Sequence, residues 1–523
     1  MSGPVLAHRV ADTSVPLLDL AVPDLLSRQL AIDPGRIASQ VLAHGAITTR
    51  TYADLAATAR AVAGGLLARA EPGDRIAVWG PNSDGWVVAQ HAIAAAGLVL
   101  VPVNPALTDA ETVHILEDSG TVAVLAADEF RGSPLRERAQ SLAERVGGVR
   151  RVVALDRVVD ELAEVTRDLA GVDPRSVALI QYTSGTTGRP KGAVLTHHAV
   201  VNAAHLATAR LRPADHEVWC TPLPLHHVGA SVCVTLPPLT LGGSFVLMDG
   251  WDPAAALRVI VESHATFFGG VPTMMLDLLA LPETADADLS SLRVVQTGGS
   301  TVPPSLVRRI EAELGVQVVV AYGQSEAPVT VMCTLDDSDE VKAETLGRVL
   351  PHRDVRIVDA AGATVAEGER GELCLRSRLT MLRYWGQPEL TAATIDTDGW
   401  LHSGDVCSMD RDGIIRIHGR VREVIIRGGE NIDPAEVEDV LLQHPGVADV
   451  AVIGLPHERW GEEVAAFVRV SPGATVDGAD LEAFGRERLA SFKVPRRWRF
   501  VDAFPLTASG KVKKHELVAQ LSE

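Results

Sequence analysis

Residues 182–192 read YTSGTTGRPKG. Ser184, Thr186 and Thr187 place three hydroxyls within four positions, and Lys191 adds a cation. Gly185 and Gly188 let the backbone approach a ligand and turn its N–H groups toward it. Many donors beside one positive charge suit a polyphosphate. The string follows an apolar run, Val177 to Tyr182, that reads as a strand. It is not the common P-loop, because Pro190 stands where GxxxxGK requires its second glycine. Pro190 also keeps a helix from starting cleanly at the phosphates, which favours a mobile flap over a rigid cradle.

Around this loop, helical and strand patterns alternate. Tyr52 to Ala70 is a helix pattern stopped by Glu71-Pro72-Gly73, and Arg75 to Trp79 reads as a buried strand. Asp84 to Ala96 is helical again, and Leu98 to Val103 is strand-like. Such alternation predicts an α/β fold with layered, largely parallel sheets. Residues 127–170 are charged and Ala/Leu-rich and read as surface helices. After Gly413 the texture changes. Ile414 to His418 is strand-like, and Asp433-Pro434-Ala435-Glu436 carries the signals of a helix start. Val437, Val440 and Leu441 form its apolar stripe, and His444-Pro445-Gly446 ends it. A boundary near Arg420 to Arg422 gives a large N-terminal domain, 1–420, and a small α+β C-terminal domain, 421–523.

The 523 residues carry 67 acidic and 48 basic side chains, a net charge of −19, which opposes general nucleic-acid binding. Aromatics at 4% leave little for stacking platforms. The five cysteines, Cys220, Cys233, Cys333, Cys374 and Cys407, form no CxxC pair, so neither disulfides nor a zinc site is expected. The most apolar stretch, Ala92 to Val103, is too short to span a membrane. No secretory signal is evident in MSGPVLAHRV, and the expectation is a soluble cytoplasmic protein.

The glycine- and hydroxyl-rich string resembles the phosphate-binding loop of the adenylate-forming superfamily, which includes acyl- and aryl-CoA synthetases, non-ribosomal adenylation domains and beetle luciferases. Other family-like motifs follow the same order: RTYADL (50–55), AAGLVLVPVNP (95–105), LPLHHVGA (223–230), AYGQSEA (321–327), RGELCL (370–375), HSGD (402–405), GRVREVIIRGGENIDPAEVE (419–438) and PLTASGKVKK (505–514). The resemblance therefore covers nearly the whole chain.

The resemblance assigns roles residue by residue. Thr183, Ser184, Gly185, Thr186, Thr187, Gly188 and Lys191 would hold the ATP phosphates. Tyr322 would flank the adenine, Gly323 and Ser325 would also contact ATP or AMP, with Ser325 in the place of the usual threonine, and Glu326 would hold Mg²⁺. Asp405 would anchor the ribose with Arg420 in support, and Arg422 would be the hinge of a mobile lid domain. Lys511 would be the catalytic lysine of adenylation, its ammonium placed where the substrate carboxylate and α-phosphate meet. His227 matches the family's histidine at the acyl site, where His226 replaces a frequent Phe or Tyr. Phe268, Gly269, Gly298, Gly299 and Ser300 resemble acyl-pocket segments. Arg427, Gly428, Gly429 and Glu430 would line a tunnel for the pantetheine arm of coenzyme A, and Lys493, Arg496, Arg497 and Arg499 are candidates for its phosphates.

The expected reaction has two halves: a hydrophobic carboxylic acid and ATP give acyl-AMP and pyrophosphate, and the CoA thiol then displaces AMP. No aspartate stands at the position that binds the ammonium group in amino-acid adenylation domains, so an amino acid is disfavoured. Three alternatives stay open. One is an acyl-AMP ligase that loads a carrier protein, and another is adenylation for an unusual substrate or acceptor. The third is a catalytically inactive relative, against which stand Lys511, Glu326 and the loop hydroxyls. The resemblance implies no nucleic-acid partner and no membrane span, and leaves a homodimer open.

Overall fold

The structure, a computed structural model, describes residues 5–43, 45–163, 169–183, 190–299, 302–421, 425–427, 430–432, 434–457, 461–489, 491–506 and 512–521. Two compact units emerge. The larger comprises Val10–Val355 and Leu375–Leu401; the smaller comprises Met1–Arg9, Arg356–Cys374 and His402–Glu523.

The larger unit is built on two sheets. In the six-stranded one the order is Arg151–Ala154, Thr121–Ala126, Arg75–Trp79, Val99–Val103, Val177–Thr183, Lys191–Thr196. Neighbours run parallel except the last pair, an antiparallel hairpin. Val99–Val103 is buried along its length, as an apolar run inside a parallel sheet must be. The second sheet has a parallel centre, Gln317–Gln324, Val294–Gly298, Phe267–Gly270, Val218–Thr221, Ser244–Met248 and Ile37–Ala43. Ala327–Met332 turns back antiparallel on Gln317–Gln324.

Local chemistry explains the helix starts. Thr51 caps Tyr52–Leu67 by accepting from Asp54 N, while the Asp54 carboxylate accepts from Thr51 N, the reciprocal box of a stable first turn. Arg50 pairs with Asp84 through two 2.6 Å bonds, and Tyr52 donates to Gly243 O at 2.6 Å. RTYADL is thus a bracing motif rather than a chemical one. Within 127–170, Leu135–Val146 is a helix as expected, but Arg151–Ala154 is an edge strand with Val153 and Ala154 buried. Four residues are too short a run for its period to be read.

In the smaller unit, Leu401–Met409 and Ile414–Arg420 form an antiparallel pair in which Asp405 faces Arg420. A separate sheet, Glu430–Ile432, Ile425–Arg427, Gly461–Val470 and Val447–His457, takes Arg497–Phe500 beside Gly461–Val470. The period of two sorts its side chains. Val450, Val452, Val464, Ala466 and Val468 pack with Val437, Leu441 and Leu481 of two helices, and Ala451, Ile453, Leu455, Ala465 and Phe467 pack with Leu517 of a third. The stripe expected at Val437 and Leu441 is in place. Asp433, its expected cap, lies outside the described residues.

All five cysteines are buried and none forms a disulfide, and burial pushes the Cys220, Cys233 and Cys333 thiols up to about 12. Iodoacetamide at neutral pH should label none of them in the folded protein and five in denaturant, counted by mass spectrometry. Stoichiometric labelling of the folded chain would contradict this burial. No described helix is long and apolar enough to cross a membrane.

Candidate active site

In the larger unit the expected residues gather at the carboxyl ends of parallel strands, where open α/β sheets bind ligands. Thr183 ends one strand and Lys191 opens its antiparallel return, with the two residues directly paired. The two strands that flank the glycine- and hydroxyl-rich segment are thus an antiparallel pair, and Pro190 leads into a strand rather than a helix. Ser184, Gly185, Thr186, Thr187 and Gly188 lie outside the described residues. Gly192 has a fixed reason to be glycine: a Cβ there would stand 2.6 Å from Ile180 Cγ2 and 3.0 Å from the Tyr182 ring.

Gln324 pairs with Ala327, so Ser325 and Glu326 occupy a tight turn. The ladder slips between Tyr322 and Gln324, and a Cβ on Gly323 would meet Val329 N at 2.5 Å. Val329 itself has φ +35°, a conformation a β-branched residue adopts only under constraint. The buried guanidinium of Arg353 donates to Pro351 O at 3.0 Å and Pro328 O at 3.5 Å beside it. Glu326 is only 8% exposed. Its carboxylate accepts 2.6 Å from the Tyr384 hydroxyl, and among the described residues no lysine or arginine forms an ion pair with it. Buried carboxylates are normally paired or bound to a metal, so this donor fits a hard divalent cation.

The segment around Tyr384 joins this turn to the hairpin. Met381 N donates to Glu326 O at 2.7 Å, Leu382 N to Val194 O at 2.9 Å, and Trp385 N to Gly192 O at 2.8 Å. Lys191 Nζ lies 3.4 Å from Tyr384 Oη and 4.8 Å from its ring centroid. Burial, then the Glu326 charge, raises the phenol above its ordinary pKa, so it remains a neutral donor. Tyr384 went unnoticed at the sequence level.

Residues expected at the acyl pocket stand on neighbouring strands. Phe268 is fully buried, Gly269 pairs with Gln296, and Gly298 pairs with Ala321 just before Tyr322. A Cβ on Gly298 would lie 2.1 Å from Ala321 O, whereas Gly299 needs glycine for its φ of +77°. Ser300 lies outside the described residues. Gly298→Ala should force the two strands apart at a cost of about 1–3 kcal/mol, read as a lower urea midpoint; an unchanged midpoint would refute the close approach. The His226 and His227 rings lie 4.6 Å apart, tilted by 49°. Burial, then His227, holds His226 well below its ordinary pKa, so its ring is neutral.

In the smaller unit, Asp405 is 3% exposed and accepts 2.9 Å from Arg420 Nε. The strand residues before it are held by Glu372, which accepts from Gly404 N at 2.9 Å and bonds His402 Nδ1 at 2.8 Å. Cys374 Sγ sits 3.5 Å from the same ring nitrogen. These three side chains satisfy one another and fix the HSGD backbone, a role that RGELCL alone did not disclose. Arg427 ends a strand and donates to Phe492 O at 3.3 Å, and Glu430 opens the next strand. Gly428, Gly429, Arg422 and Lys511 lie outside the described residues. Lys493, Arg496 and Arg497 pair with Glu436, Glu482 and Glu463, and Arg499 donates to Gln520 O. Three of these four candidates for the CoA phosphates thus have carboxylate partners.

Comparison with known proteins follows the same outline. A family profile described as AMP-binding enzyme matches residues 26–385, and one described as AMP-binding enzyme C-terminal domain matches 436–511. The chain is 37% identical to the medium-chain acyl-CoA ligase ACSF2 of Bos taurus, over 90% of this chain and 83% of that one. It is 34% identical to the putative acyl-CoA synthetase YngI of Bacillus subtilis, over 89% and 91%. ATP-bound MatB from Rhodopseudomonas palustris has the same fold, with a TM-score of 0.89, 29% identity, and coverage of 96% of this chain and 99% of that one.

Proposed function

The chain belongs to the AMP-binding enzyme family, and from that premise we propose that it is an ATP-dependent acyl-CoA synthetase acting on a hydrophobic monocarboxylic acid. A carboxylate oxygen attacks the α-phosphorus of ATP, the bond to the β-phosphate oxygen breaks, and pyrophosphate leaves. The CoA sulfur then attacks the acyl carbon, the acyl–oxygen bond breaks, and AMP departs with that electron pair while the thiol proton passes to solvent.

The observation that carries the reading is Glu326: a buried carboxylate with no lysine or arginine ion partner among the described residues, in a turn linked by hydrogen bonds to the hairpin that carries Lys191. Bound there with the triphosphate, Mg²⁺ would neutralise charge on the departing pyrophosphate. Thr183, Lys191 and the loop hydroxyls hold the phosphates in line, and Lys511 supports the charge that develops at the reacting centre. Asp405 accepts from the ribose hydroxyls, and the buried, neutral His226 ring with the buried Phe268 suits a hydrophobic acyl group. Medium-chain fatty acids are the first choice, since the bovine relative is named for them.

The test is AMP release and acyl-CoA formation over acids from acetate to palmitate, with benzoate and cinnamate. The expected result is CoA-dependent AMP release that peaks with a medium-chain acid such as octanoate. Adenylate accumulation with no thioester from any acid would overturn the assignment of CoA as acceptor.

A further inference from the structure

We propose that Tyr384 is the positioning residue for the metal-binding carboxylate and that it couples Glu326 to the base of the phosphate loop. The inference rests on the proposed metal role of Glu326. The phenol is 3% exposed, and its hydroxyl has polar neighbours on two sides: it donates to Glu326 Oε1 at 2.6 Å and lies 3.4 Å from Lys191 Nζ. A hydroxyl can donate once and still accept, so one oxygen serves the carboxylate and the ammonium together.

The backbone fixes this meeting point. Tyr384 forms a bridge with Ala193, two residues beyond Lys191, and its own N–H donates to Thr391 Oγ1 at 3.0 Å. The Met381 N–H grips the carbonyl of Glu326 itself. The phenol is therefore held on both sides and cannot swing away independently. A hydrogen bond to one carboxylate oxygen selects one orientation of the group. The ring alone would serve a packing role equally well, so the hydroxyl is what the proposal assigns.

The experiment uses the full chain, no acid, and an α,β-methylene ATP analogue, so nothing turns over. Its affinity is measured by calorimetry with Mg²⁺ and again with EDTA, and the ratio isolates the metal contribution. Tyr384→Phe is expected to reduce that ratio about tenfold, the scale of one hydrogen bond to a charge, while the EDTA affinity and the melting temperature stay near wild type. Glu326→Gln should lower the ratio further, and adding Tyr384→Phe to it should cost nothing more, because the phenol acts through the carboxylate. A wild-type ratio in Tyr384→Phe beside a collapsed one in Glu326→Gln overturns the role of Tyr384 and leaves the metal site standing. A wild-type ratio in Glu326→Gln overturns the metal reading and this inference with it. Equal losses with and without Mg²⁺ in Tyr384→Phe would reduce the residue to packing and also overturn the proposal.

Discussion

Lys511→Ala is expected to slow acyl-adenylate formation by about 10²–10³-fold, the usual cost of losing one preorganised charge partner of a transition state. Its ammonium is proposed to lie where the substrate carboxylate and the α-phosphate converge, the point of greatest negative charge. Thioester formation from presynthesised acyl-adenylate should be unchanged, because that step begins after the phosphoryl chemistry is complete. The two half-reactions are followed separately, by pyrophosphate release and by acyl-CoA formation. Equal losses in both would show that Lys511 is not confined to the first step.

Arg422→Pro separates the halves in the opposite sense. Adenylation should persist, while CoA transfer should fall by about 10²-fold or more, the cost of misplacing reacting groups by an ångström or so. Proline holds φ near −65° and removes a backbone donor, so a pivot at this residue loses the dihedral it must change. Arg422 follows the strand Ile414–Arg420 and precedes Ile425–Arg427, a junction between two sheets and a suitable place for a hinge. If proline merely unfolds the smaller unit, both half-reactions fall and the melting temperature with them. Wild-type rates in both would remove Arg422 from the hinge.

The legible parts of the chain were those whose chemistry is local. The strand Arg75–Trp79 and the helix Asp84–Ala95 follow from short-range patterns, and Glu326, Asp405 and Lys191 stand inside strings compact enough to read. Partners across the fold were not legible. Tyr384 meets Glu326 across 58 positions of sequence, and Glu372 meets Gly404 across 32, with nothing in RYWG or RGELCL that announces either contact. Gly298 was read as a pocket residue, yet its lack of a side chain is explained by the Ala321 carbonyl on the neighbouring strand. Arg353 was invisible for a different reason: an arginine in a polar-looking stretch gives no hint that it is fully buried against two proline carbonyls. The strand Arg151–Ala154 is only four residues long, and its place is set by pairing with Thr121–Ala126 rather than by its own pattern.

If the acid is activated as an acyl-adenylate before the thiol arrives, an isotope label follows that bond directly. The enzyme is supplied with a carboxylic acid labelled with ¹⁸O in both carboxyl oxygens, together with ATP, Mg²⁺ and CoA, and the AMP is weighed by mass spectrometry. One ¹⁸O atom should appear in each AMP released, because the oxygen that attacks the α-phosphorus leaves with the nucleotide when the thioester forms. Unlabelled AMP, or label recovered in inorganic phosphate, would contradict the account.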